Sequence, residues 1–251
     1  MGKILSERGH FQVMIAESEA EVRLAQKLRY DVFFRGRRTE GFAPEKGEGE
    51  LDIDRFDPQF RHIVVLDRES GKAVGTYRFQ SGVEAKRGLG FYSSTEYSLS
   101  GVEFDDSFFE VGRSCVAEEF RGGAVISLLW LGIHELHRLE NWRHLFGCVS
   151  FPEEQLAGAW NLYDAQAASA GLDDEIRGVP QPAYRVERPA TAEAASAPLP
   201  PLLKGYLRLG AQIAGEPVLD KAFGTVDLLI HLDFDRVSER YLRHYQAEVR
   251  S

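Results

Sequence analysis

The chain has 251 residues, a formal net charge of −9, and 43% hydrophobic against 27% charged residues, which excludes a disordered chain and a multi-span membrane protein. The negative charge argues against nucleic acid as partner, since such binders displace phosphate counterions with a basic face. Two cysteines, Cys115 and Cys148, and a short polar start at Met1-Gly-Lys-Ile-Leu-Ser-Glu7 point to a reducing cytoplasm.

In chain order, Phe11 to Ile15 reads as a strand, and Ser18-Glu-Ala-Glu21 is a capping box opening a helix with Val22, Ala25, Leu28 and Val32 at helical spacing. That helix ends near Phe33. Arg35-Gly-Arg37-Arg38 and an acidic loop from Glu45 to Asp57 follow. His62 to Asp67 and Ala73 to Phe79 are β-branched and aromatic runs joined by Arg68-Glu-Ser-Gly71-Lys, the pattern of an antiparallel hairpin. After a Gly- and Ser-rich connection, Phe108 to Val116 reads as a strand. Ala124 to Leu139 reads as a helix with Ile126, Leu129, Trp130, Ile133 and Leu136 on one side. Its apolar start, Ala124 to Ile133, is too short to cross hydrocarbon, which takes ~20 residues. Leu145 to Phe151 is another strand, and Glu153 to Ala170 another helix. Arg188 to Pro201 is rich in Pro, Ala and Ser and reads as a tether. Gly224 to Phe234 is a strand and Asp235 to Val249 a terminal helix. The expected fold class is α/β with a mixed sheet and helices on both faces. The expected domains are a core at 1–188, a loop at 189–201 and a C-terminal extension at 202–251 that packs on the core.

Four local patterns stand out: Arg29 with Phe33, Asp52-Ile-Asp54-Arg-Phe-Asp57, Arg78 near a strand end, and Glu110-Val-Gly-Arg113. Together with the element order they resemble the acyl-homoserine-lactone synthases of the GNAT superfamily and the related N-acyl amino acid synthases. The hemolysin-like ornithine N-acyltransferases are a closer resemblance. It is carried by Glu110-Val-Gly-Arg-Ser-Cys-Val116 with Phe120-Arg121, by Phe146-Gly-Cys-Val-Ser-Phe-Pro152, and by Pro200-Pro-Leu-Leu-Lys-Gly-Tyr-Leu-Arg-Leu-Gly210 continuing to Val226-Asp227. The resemblance implies a GNAT-like fold and transfer of a (3-hydroxy) fatty acyl group from acyl carrier protein to the α-amine of ornithine, giving lyso-ornithine lipid. The alternatives are another amino acid acceptor, or a non-catalytic module that binds carrier protein or membrane. No resident cofactor or metal is implied; acyl-acyl carrier protein enters as co-substrate through its phosphopantetheine arm.

Acyl transfer to an amine needs a proton acceptor and donors for the oxyanion. Glu110, between apolar Phe109 and Val111, is the candidate base, directly or through water. Glu110 and Arg113 lie three positions apart, so a regular strand would send them to opposite faces. A β-bulge at Gly112 would put them on one face and free a backbone N–H for the oxyanion; otherwise they form a structural ion pair. Asp52, Asp54 and Asp57 either receive a diamine's distal ammonium or organise Arg29, Arg78 and Arg113 into a network.

The turn Arg121-Gly122-Gly123, with Val116, is the expected seat of the phosphopantetheine arm. Because the carrier protein is acidic, Arg37 and Arg38, or Arg121 with Arg143, are the candidate basic contacts. Lys204 and Arg208, among Leu202, Leu203, Tyr206, Leu207 and Leu209, suit peripheral contact with the inner membrane surface. His134-Glu-Leu-His137 has the wrong spacing for a metalloprotease motif and is assigned to packing.

Overall fold

The computed structural model describes residues 2–35, 49–101, 103–169, 171–189 and 199–237. Its elements begin with β1 (Lys3–Arg8), β2 (Phe11–Ile15), α1 (Glu19–Phe33), β3 (Arg61–Asp67), β4 (Lys72–Ser81), α2 (Gly82–Arg87), β5 (Tyr97–Ser100) and β6 (Phe108–Val116). They continue with α3 (Ala124–Glu140), β7 (His144–Pro152), α4 (Leu156–Ser169), β8 (Arg177–Pro180), α5 (Pro201–Leu209), β9 (Gln212–Ile213), β10 (Val218–Asp220) and β11 (Thr225–Asp233). The described chain forms two compact units interleaved in sequence. One comprises the described residues up to Gln80 with Val111–Trp142, and the other Ser81–Glu110 with Arg143–Val237.

In the first unit β1, β2, β3 and β4 pair antiparallel in that order, and the second half of β6 lies beside β4, where Ala117 N donates to Val74 O at 2.9 Å. The sequence reaches this arrangement through caps and alternation. The Ser18 hydroxyl takes the Glu21 N–H, and the Glu21 carboxylate takes the Ser18 N–H, closing the start of α1. Strand β2 is buried on both sides, so its alternating side chains reach two helices. Met14 packs with Val64 and Ala25 of α1. Val13 and Ile63 instead lie under Gly132 of α3. A Cβ on Gly75 of β4 would lie 2.6 Å from a Val125 methyl carbon, so glycine is what lets α3 approach that strand.

In the second unit β7 and β11 pair antiparallel from Thr225↔Pro152 to Asp233↔His144, with β10 and β9 also on β11. The first residues of β6 pair with β7 in parallel, from Phe108↔His144 only as far as Glu110↔Phe146. Tyr97, Phe108, Phe146, Ile176 and Leu229 centre this unit's core.

The expected strands at Phe11, His62, Ala73, Phe108, Leu145 and Gly224 and the helices at Ser18, Ala124 and Glu153 are all present within a residue or a few. Several elements went unread. β5 and β8 form a separate two-stranded sheet, and β1, α2, α5, β9 and β10 are short. The proposed tether in fact runs into α5, whose first residue is Pro201, a position where a missing N–H costs nothing. The expected terminal helix shows only a 3-10 turn at Phe234–Arg236; its residues 238–249 lie outside the described residues, as does 190–198 of the tether. No helix among the described residues is long and apolar enough to cross a membrane.

Candidate active site

Glu110 stands where the parallel β6–β7 ladder stops. It is 1% exposed. Its carboxylate accepts hydrogen bonds from Tyr92 N at 2.9 Å, Ser93 N at 2.6 Å and Ser93 Oγ at 2.6 Å. Those N–H groups open the 3-10 turn Tyr92–Thr95, where helical geometry leaves donors without partners of their own. The carboxylate is therefore held in one orientation by a turn 17 and 18 residues away in sequence.

In β6 the residue after Gly112, the glycine at which a bulge is expected, has left-handed backbone: Arg113 has a φ of 50°. A non-glycine residue there costs on the order of 1 kcal/mol and is kept where surrounding contacts over-determine it. Those contacts are ionic. Arg113 reaches Asp54 at 3.1 Å and Asp52 at 3.5 Å. Arg29 bonds Asp52 at 2.8 Å and Asp57 at 2.6 Å, while Arg78 bonds Asp54 at 2.6 Å and Asp57 at 2.8 Å. The Arg78 guanidinium also lies 4.5 Å from the Phe60 ring centroid. Three carboxylates thus face three guanidiniums in a buried cluster of balanced formal charge, the geometry of an arginine-organising network. Burial opposes ionisation of Asp54 and Asp57, but the adjacent arginines outweigh it and hold both below the usual carboxylate range. Asp52 and Asp57 likewise keep Arg29 above its ordinary value against the pull of burial. Phe33 closes α1 and is half-buried.

The sequence reading missed His62, which belongs to this network. Arg29 Nη1 donates to its Nδ1 at 3.3 Å, which places the ring proton on Nε2. Burial first, and the Arg29 charge second, lower its pKa to about 3. An unfolded histidine titrates near ~6.5, so between that pH and about 3 the unfolded chain takes a proton that the folded one refuses. Stability should therefore fall as pH drops through this window, by up to ~1.4 kcal/mol per unit from this residue. The depressed Asp54 and Asp57 act lower: their contribution is complete above ~4 and is lost as pH falls through their folded values. Urea unfolding at stepped pH should show the first slope in the wild type and a shallower one in His62→Gln. Equal slopes would refute the assignment.

Arg121 Nε bonds Val116 O at 3.4 Å. Gly123 caps α3 with φ of 105°, no side chain caps that helix start, and a Cβ at Gly122 or Gly123 would meet nothing within 4 Å. Arg37 and Arg38 lie outside the described residues. Arg143 pairs with Asp233 at 3.0 Å and Asp235 at 2.9 Å, so its charge is already engaged. On α5, Leu203, Tyr206 and Leu209 turn into the core, and only Lys204 and Arg208 among the residues offered to a membrane remain exposed. The spacing of three buries one face of a short helix rather than presenting it to lipid. His137 bonds the Trp142 carbonyl, a packing contact.

Both cysteines are free. Burial pushes the Cys115 thiol up to about 12, and burial followed by the Glu96 and Asp227 charges pushes Cys148 well above its usual range. Neither is a thiolate nucleophile at neutral pH. Carboxylate oxygens of Glu96, Asp220 and Asp227, all buried, lie within 4.8 Å of one another. No spacing in the sequence announces them.

A family profile described as an acetyltransferase (GNAT) domain matches residues 28–131. The L-ornithine N(alpha)-acyltransferase of Brucella abortus (strain 2308) is 36% identical over 98% of this chain and 92% of its own length. The protein of that description from Rhizobium meliloti (strain 1021) is 35% identical, over 98% and 87%. Among solved structures, the acyl-homoserine lactone synthase LasI aligns at a TM-score of 0.50 and 13% identity, over 90% of this chain and 91% of that one. BjaI, a CoA-dependent acyl-homoserine lactone synthase, aligns at 0.54 and 13%, over 92% and 82%. These structural likenesses concern the fold, which is the mixed-sheet GNAT fold expected from the sequence.

Proposed function

This chain belongs to the L-ornithine N(alpha)-acyltransferase family, and on that premise we propose that it joins a fatty acyl group, carried as a thioester on acyl carrier protein, to the α-amine of ornithine. The observation that carries the mechanism is Glu110, fixed by three donors at the residue where β6 leaves β7. The amine nitrogen attacks the thioester carbonyl, and the nitrogen's proton passes to Glu110, directly or through a water. A backbone N–H of the kinked segment Val111-Gly112-Arg113 meets the oxyanion. The carbonyl then reforms as the carrier's thiolate departs and takes a proton. The Arg29, Arg78, Asp52, Asp54 and Asp57 network holds Arg113 by its guanidinium, and Phe33 ends α1, the helix that carries Arg29.

Phosphate of the phosphopantetheine arm is received by Arg121 and the N–H groups after Gly122 and Gly123, whose lack of side chains lets an anion approach the start of α3. This turn lacks the alternating glycines with which coenzyme A-using relatives in the fold hold a pyrophosphate, which favours the carrier protein as donor. Arg37 and Arg38 supply further positive charge for that acidic partner. Lys204 and Arg208 give α5 two exposed cations for the anionic inner membrane surface into which the product partitions, with the protein working from the cytoplasmic side.

The test offers 3-hydroxyacyl-acyl carrier protein or 3-hydroxyacyl-coenzyme A with ornithine, lysine or glutamine, and reads products by mass spectrometry. Acyl-ornithine formed from the carrier-protein donor is expected. Lysine or glutamine adducts without ornithine adduct would overturn the acceptor, equal rates from coenzyme A would overturn the donor, and no product would overturn the enzyme.

A further inference from the structure

The second unit gathers two histidines and two carboxylates that the proposed mechanism does not use. Asp173 and Glu175 follow α4, His144 begins β7 and His231 lies near the end of β11. The Asp173 Oδ1 accepts the N–H of Glu175 at 3.0 Å and of Ile176 at 2.6 Å, which fixes its carboxylate. Its Oδ2 lies 2.6 Å from His231 Nδ1. An ionised carboxylate only accepts, so His231 Nδ1 is the donor, and the neutral ring turns the lone pair of Nε2 the other way. That lone pair faces His144 Nδ1 at 3.0 Å. Glu175 Oε2 lies 3.3 Å from the same His144 nitrogen, while Glu175 Oε1 is occupied by Arg236 at 2.8 Å. The His144 ring is clamped face to face against Phe108, with centroids 4.2 Å apart.

We propose that His144 Nδ1, His231 Nε2 and Glu175 Oε2 bind one divalent transition-metal ion, zinc by the character of the donors. Three electron-pair donors converge, all within 4.8 Å of one another. Bonds of ~2.0–2.1 Å at tetrahedral angles separate ligand atoms by ~3.3 Å. The distances of 3.0 and 3.3 Å about His144 Nδ1 fall at that edge length. A single N–H on His144 cannot align with His231 and Glu175 together, whereas a cation between them satisfies all three atoms. Two imidazoles with one carboxylate form a donor set that zinc accepts readily, leaving the fourth position to water. The Asp173–His231 contact is the outer-shell carboxylate that orients a ligating histidine and raises its basicity. Glu175, half-buried, opens the path by which the ion enters. Bound there, the ion ties the segment after α4 to β7 and β11 and holds the start of β6 through Phe108.

Chelator-stripped full-length protein should take up one equivalent of zinc by calorimetry, with a dissociation constant below micromolar and a raised melting temperature. Cobalt at one equivalent should show the visible absorption of a tetrahedral site. Asp173→Asn should weaken zinc 10- to 100-fold, and His231→Ala should abolish stoichiometric uptake. Glu175→Gln, at a half-buried position, keeps the fold testable if the histidine variant does not fold, and should weaken binding by at least tenfold. Absence of one-equivalent uptake in the wild type, or zinc affinity unchanged in Glu175→Gln, would overturn the proposal and leave the cluster as a hydrogen-bonded relay.

Discussion

Glu110→Gln is expected to lower turnover with ornithine by 10²- to 10⁴-fold, the range that a positioned proton acceptor contributes. The substitution preserves shape but converts an acceptor-only carboxylate into an amide. One end of that amide must now present N–H to the donors of Tyr92 or Ser93. Leaving one buried donor without its acceptor costs about 1–3 kcal/mol. Two losses are thus expected from one change, and they separate in measurement. Turnover should stay depressed at temperatures where urea titration shows the variant fully folded. Full turnover in a folded Glu110→Gln protein would leave the carboxylate as an anchor for the Tyr92–Thr95 turn and nothing more.

Asp57→Asn should have the largest effect on stability. Asp57 bridges Arg29 and Arg78, both essentially without solvent exposure. Removing its charge leaves two buried guanidiniums sharing what Asp52 and Asp54 can offer, and breaking a buried pair costs about 3–5 kcal/mol. Against a total of ~5–15 kcal/mol for ordinary domains, that is a large share of the stability. The exposed Glu19–Arg23 pair, with its members 82% and 50% exposed, is the control: Arg23→Ala should cost under ~1 kcal/mol. Urea denaturation of both variants gives the comparison, and a cost below 1 kcal/mol for Asp57→Asn would refute the network's structural weight. Because Asp57 and Arg78 share partners, the double variant Asp57→Asn with Arg78→Met should be less destabilised than the sum of the two single changes.

What could be read from the residues was whatever a short stretch encodes by itself. The Ser18–Glu21 box, the alternation of β3 and β4 about Gly71 and the apolar face of α3 each depend on neighbours within a few positions. The elements that escaped, such as α5 and the β5–β8 pair, are too short for a period to emerge, and tertiary contacts make them. The Asp52, Asp54, Asp57 and Glu110-Val-Gly-Arg113 patterns marked the residues of the candidate site without showing their partners. The motif asks for a bulge at Gly112, and it is Arg113 that takes the left-handed conformation, where Asp52 and Asp54 hold its guanidinium.

Sequence alone therefore determined the order of the longer elements, the family resemblance and the residue types available for acyl transfer, since caps, periodicity and motifs are local. Tertiary structure decided which charge meets which. His231 finds Asp173 across 58 positions and His144 across 87, and Arg113 finds Asp54 across 59. Such pairings arise only when sheet and helices pack, because burial in a medium of low polarity compels each ionised group to find a partner, wherever in the chain that partner lies.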